Sequence, residues 1–152
     1  MKSILGIIAL STSFFWSGTS YSAEQGTADE AVAMVQKSIA YMKENGREKT
    51  IADINKKGQF VDRDLYVVIY DMKGKNIAHA GNARMIGKEL YENKDIDGKF
   101  FVKERIELAK SKGKGWQDYK FTNPAKNNVI EQKSMYIEKF EDLIFGCGIY
   151  KQ

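Results

Sequence analysis

His79, Lys133 and a group of tyrosines are the residues of this 152-residue chain whose type and setting could carry chemistry. His79 closes a short apolar run. An imidazole there could donate to a ligand carboxylate and gain charge as the pH falls. The alternative is a histidine that caps a strand or bonds a loop carbonyl, and on residue type alone that alternative leads. Lys133 stands inside a β-patterned segment, where its ammonium would be a counter-ion for a small anion; a solvated edge-strand lysine is the competing reading. Tyr66, Val68 and Tyr70 share one face of a strand, and Tyr119 could join them from another. A tyrosine offers an apolar wall with a hydroxyl tip, or simply fills a core. Tyr136 follows Lys133 by three residues, so on a regular strand the two point to opposite faces and meet only across a bulge. Lys133 therefore ranks above Tyr136, and by the same parity Trp116 is packing relative to Tyr119.

Other chemistries are poorly supplied. One Cys and one His leave no disulfide framework, Cys-built zinc site or iron–sulfur cluster, and no catalytic His pair. Cys147, between Gly146 and Gly148, reads as a small buried hydrophobe, since nothing near it in sequence activates a thiolate. Asp95 and Asp97 before Gly98 lack the remaining positions of a calcium loop, so Asp97 reads as a helix cap. No phosphate loop, haem attachment motif or Ser/His/Asp order is present. The enzyme reading lacks a base–nucleophile pair, and no cofactor or metal is expected. With 24 basic and 20 acidic residues the net charge is +4, too mild for a nucleic-acid partner.

These residues need elements to hold them. Thr27-Ala28-Asp29-Glu30 is a capping box, followed by an apolar stripe through Ala28, Ala31, Val32, Val35, Ile39 and Met42 and a stop at Gly46. A second helix is predicted over Thr50 to Lys57. Leu65 to Tyr70 reads as a strand buried on both faces, hairpinned to Asn76–Ala80. A helix begins after Asp97, and Val102, Ile106 and Ala109, beside Phe101 and Leu108, give its buried side. Trp116–Phe121, Ile130–Phe140 and Leu143–Tyr150 complete a meander. The order predicts an α+β domain in which a long N-terminal helix packs on a five-stranded antiparallel sheet, with the ligand side on the opposite face.

Lys2, the apolar run Ile4 to Trp16 and the small residues after it have the three-part order of a secretory signal peptide over residues 1–23, cleaved after Ser22 or Ala23; an uncleaved anchor is the alternative. Residues 24–152 then form one domain, expected to be periplasmic or secreted with a net charge of +3.

Several segments resemble a known family. Tyr66-Val-Val-Ile-Tyr-Asp71 with Gly74 and Ala78-His79, Ile86-Gly-Lys-Glu-Leu90, Asp95-Ile-Asp-Gly-Lys-Phe100, Gly115-Trp116 through Tyr119, Lys133-Ser-Met-Tyr136 and Gly146-Cys-Gly-Ile-Tyr150 together resemble the PAS-like extracellular Cache domains of bacterial chemoreceptors and histidine kinases, of the single, second type. Ala80 and Gln132 stand where that family has Pro, and Cys147 where a small residue is usual. The resemblance implies a sensory domain that binds a short carboxylate, an amino acid or a similar metabolite without catalysis and acts in signal transduction or chemotaxis. It assigns Tyr66, Val68, His79, Tyr119, Lys133 and Tyr136 to the ligand. It also implies a membrane receptor, kinase or transport component as partner. The alternative is a ligand-free interaction protein of the cell envelope.

Overall fold

The computed structural model describes residues 25–151, so the expected signal peptide lies outside the described residues. Helix α1 (Ala28–Asn45) begins at the capping box: the Thr27 N–H donates to the Glu30 carboxylate at 2.8 Å and the Glu30 N–H to the Thr27 hydroxyl at 3.3 Å. Ala31, Val35, Ser38, Ile39 and Met42 are its buried stripe. Gly46, at φ 79°, ends it in a conformation an L side chain would resist. Helix α2 (Arg47–Asn55) starts at once rather than at Thr50, because the same glycine turns the chain and accepts the Thr50 hydroxyl on its carbonyl.

The apolar run from Leu65 is one segment in sequence but two in structure. Strand β1 (Val61–Asp62) pairs with β2 (Leu65–Tyr66), and β3 (Val68–Asp71) pairs with β4 (Asn76–His79). Val67 marks the change of partners: its N–H goes to Phe60 and its carbonyl takes the Ala80 N–H. Helix α3 (Phe101–Lys112) follows a turn organised by Asp95, whose carboxylate accepts the N–H groups of Asp97, Lys99 and Lys120. Asp97 is therefore not the cap. The helix starts later, at Phe101, and its N-cap residue Phe100 offers no side-chain cap.

Strands β5 (Lys114–Asn123), β6 (Val129–Phe140) and β7 (Leu143–Tyr150) form the expected meander. The sheet is antiparallel throughout, in the order β4-β3-β7-β6-β5. Register sorts its side chains. Tyr119, Lys133 and Tyr150 are successive cross-strand partners on one face, and Gln117, Met135 and Gly148 form the next row. Val68 and Ile137 both pair with Gly146 on that face. Cys147 and Tyr136 pair on the other, where Cys147 meets Met34 of α1. Thus α1 covers one face and α3 closes over part of the opposite one, where Arg105 lies against Tyr70 and Tyr119.

Candidate functional site: a buried cationic face

Lys133 is fully buried in the middle of this second face. Its ammonium donates to the hydroxyls of Tyr66 at 2.7 Å and Tyr150 at 3.1 Å, and lies 4.0 and 4.3 Å from the centroids of those rings. The Tyr150 hydroxyl donates in turn to the Thr122 carbonyl oxygen at 2.7 Å. The glycines of β7 make room for the lysine. A Cβ at Gly148 would sit 2.6 Å from Lys133 Cε and 2.9 Å from the Ser134 carbonyl oxygen, and one at Gly146 would sit 2.9 Å from Met135 Sδ. Burial brings the ammonium down to about 7, with the positive charge of Arg105 adding to the effect.

His79 stacks on Tyr66, ring centroids 5.1 Å apart. Its Nδ1 accepts the Asn82 N–H at 2.9 Å, which leaves the proton of the neutral ring on Nε2. Burial, and then the charges of Lys133 and Arg105, bring it down to about 3. The expectation that His79 gains charge as the pH falls is corrected accordingly: around neutral pH it is a neutral donor.

The residue that sequence reading passed over is Arg105. It is 1 % exposed, with its guanidinium carbon 4.8 Å from the Tyr70 ring, 5.2 Å from Tyr119 and 5.6 Å from Phe101. Nε donates to Gln117 Oε1 at 3.2 Å, and Gln117 in turn donates to the Phe101 carbonyl. Nη1 and Nη2 make no well-formed hydrogen bond among the described residues, although the Tyr119 hydroxyl feels the guanidinium's charge and a side-chain contact from it. The signal was available: Phe101, Val102, Ile106 and Ala109 mark the buried stripe of α3, and Arg105 is a charge set within it. Tyr150 was visible only as the end of a glycine-spaced motif.

The face therefore gathers Tyr66, Val68, His79, Tyr119 and Lys133, adds Arg105 and Tyr150, and leaves out Tyr136. Strand parity removes Tyr136: no bulge interrupts β6 between it and Lys133, and its ring packs on Trp116 while its hydroxyl donates to Glu138. Cys147 is buried against α1, and burial pushes its thiol up to about 12, far from a reactive thiolate.

The arrangement is two buried cationic groups, Arg105 and Lys133, with neither in an ion pair among the described residues. A buried charge without a partner costs several kcal/mol in proteins. A guanidinium with both outer nitrogens available matches the two oxygens of a carboxylate in a parallel fork.

Comparison with known proteins gives this geometry a context. The Cache domain family model dCache_2 matches residues 23–152. The chain belongs to the Cache domain family. Cache domains are sensory ligand-binding domains. A solved methyl-accepting chemotaxis protein from Vibrio parahaemolyticus is 26% identical, with a TM-score of 0.69 over 80% of this chain and 86% of that one. A Cache chemosensory domain, solved to show how it recognises carboxylic acid, is 24% identical and superposes with a TM-score of 0.70 over 82% of this chain and 92% of its own. The periplasmic sensor domain of a chemotaxis protein, at 19% identity, shares the fold with a TM-score of 0.67 over 82% and 90%.

Proposed function

We propose that this Cache domain is an exported, non-catalytic sensor that binds a short carboxylate against Arg105 and Lys133 and acts through a membrane receptor, kinase or transport partner. One observation carries the reading: a buried guanidinium whose Nη1 and Nη2 make no well-formed hydrogen bond among the described residues. A carboxylate would take both nitrogens, and Lys133, with two of its three N–H groups already given to Tyr66 and Tyr150, retains one to offer. Tyr66, Val68 and Tyr119 wall the face, with His79 beside Tyr66 as a neutral Nε2–H donor. The carboxylic-acid-recognising domain of the same fold supports this choice of ligand. The membrane partner in this reading is supported by the family, of which a methyl-accepting chemotaxis protein is a solved relative.

The satisfied bonding of Lys133 favours a second reading, in which the face stays closed on itself and the domain regulates a partner by contact. Thermal-shift screening of short acids separates the two. At ~100 times its Kd, a ligand adds ~2.7 kcal/mol, a shift of several degrees for a domain of this size. A shift with at least one short carboxylate is expected. Its absence across the series would leave the contact reading.

A further inference from the structure

Among the described residues, the buried side-chain atoms that make no well-formed hydrogen bond include Nη1 and Nη2 of Arg105 and Oδ1 of Asn76. Both residues are neighbours of Tyr70. The Arg105 guanidinium carbon lies 4.8 Å from the centre of the Tyr70 ring, and Asn76 is the cross-strand partner of Tyr70. A β-bulge brings Asn76 there. Val68 pairs with His79 and Ile69 with Ala78, so in a regular ladder Ile77 would come next, opposite Tyr70. The register shifts between Ile69 and Tyr70 instead, Ile77 is passed over, and Asn76 takes the place opposite Tyr70. Without the shift, Asn76 would point to the other face of the sheet and an isoleucine would stand beside Tyr70. The bulge thus exchanges an apolar side chain for an amide on the face that holds Lys133 and His79.

Asn76 is fully buried. Its backbone N–H donates to the Lys88 carbonyl at 2.9 Å, its backbone carbonyl accepts the Gly87 N–H at 2.7 Å, and Nδ2 reaches the Ile69 carbonyl oxygen at 3.5 Å. The Nδ2 contact fixes which way round the amide lies, since the reverse would set two oxygens against each other. Oδ1 is left as a buried acceptor without a donor.

We propose that Asn76 is a specificity residue of the site, selecting carboxylates that also carry a hydroxyl group over plain acids and keto acids. This rests on the carboxylate reading above, with Arg105 holding the carboxylate beside Tyr70. An amide oxygen accepts and never donates. A ligand hydroxyl donates to it and satisfies it; a plain acid leaves it unmet, and a keto acid brings a second acceptor towards it. An ammonium would donate too, but Arg105 and Lys133 on the same face repel a further positive charge. A site that holds an unmet acceptor discriminates against analogues without a donor.

Titration calorimetry on the purified protein tests this with matched sets: lactate, propionate and pyruvate; 3-hydroxybutyrate, butyrate and acetoacetate; glycolate and acetate. In at least one set the hydroxy acid should bind about tenfold or more tightly than its plain and keto counterparts. Asn76→Leu keeps the shape and removes the amide, and Asn76→Ala serves where leucine does not fit the bulge; melting curves check that each folds as the parent does. Either folded variant should bring the ratio of hydroxy-acid to plain-acid affinity to within about twofold of one. If plain or keto acids bind the parent as tightly as the hydroxy acid in every set, or if a folded variant keeps the preference, the Asn76 assignment falls while the carboxylate reading stands. If no acid of any set binds, both fall together.

Discussion

Lys133 is the residue whose surroundings most change its ordinary behaviour. An ammonium brought to about 7 by burial is half neutral near neutrality, and a bound carboxylate would hold it protonated. Affinity should therefore be highest below pH 7 and fall as the pH rises from 7 towards 9. Lys133→Met, which keeps the stem and removes the charge, should weaken binding more than tenfold at pH 6.5 and flatten that profile. Affinities measured across the range check this; a slope that survives in Lys133→Met would assign it elsewhere. His79 sits near 3 in the free domain, so His79→Asn should leave the slope above pH 7 unchanged and cost only the Nε2–H donor. At this scale the sequence showed Lys133, His79 and their tyrosines but not their state. Residue type and spacing say nothing about how completely a side chain is desolvated, and desolvation moves both groups furthest. Arg105 was missed because its helix was read for its apolar members only, and a charge within an apolar stripe is itself the anomaly worth reading.

At the scale of elements, the site depends on close approach between strands. Gly148 lets Lys133 lie across β7, and any Cβ there meets both a flexible Cε and a fixed backbone carbonyl. Gly148→Ala should lower stability by ~1–3 kcal/mol, as overpacking does, and weaken carboxylate binding as well. Denaturant unfolding with parallel titrations checks both. Thr27→Ala, at the far end of the molecule's logic, should cost ~1 kcal/mol through loss of the α1 cap and leave affinity unchanged. The difference between these two variants separates scaffold from site. Element types were legible because each had a local cause: the capping box, Gly46, the β-branched run and the alternation of the last three strands. Boundaries were less so where the cause was tertiary. The Leu65–Tyr70 run splits at Val67 because its bonding partners lie in Phe60 and Ala80, and α3 starts late because Asp95 spends its oxygens on a turn and on β5. The strand parity that ranked Lys133 above Tyr136 holds in β6, and it places the two on opposite faces.

For the whole molecule, the buried bases make a pH signature. The unfolded chain protonates Lys133 up to its ordinary value of 10.5, whereas the fold releases that proton near 7. Between those values the unfolded state binds more protons, so this group makes stability rise with pH, and its destabilisation is fully present below 7. His79 acts in the same sense at lower pH, where stability is lost as the pH falls from 6.5 through 3. The free domain should therefore melt at higher temperature at pH 9 than at pH 7, and Lys133→Met should remove most of that rise. A melting temperature that does not change between pH 7 and 9, in the parent, would mean that Lys133 keeps an ordinary ammonium. In the proposed reading, a bound carboxylate relieves these costs.

The most direct test of that account is Arg105→Met, followed by calorimetric titration with the tightest short carboxylate and by thermal melting of the free protein. Removing a buried guanidinium whose outer nitrogens make no well-formed hydrogen bond among the described residues should leave the free domain as stable as the parent or more so, while carboxylate affinity falls by well over tenfold. A variant that binds the acid as tightly as the parent, or that loses stability by several kcal/mol while keeping its affinity, would show that Arg105 serves the fold and not the ligand.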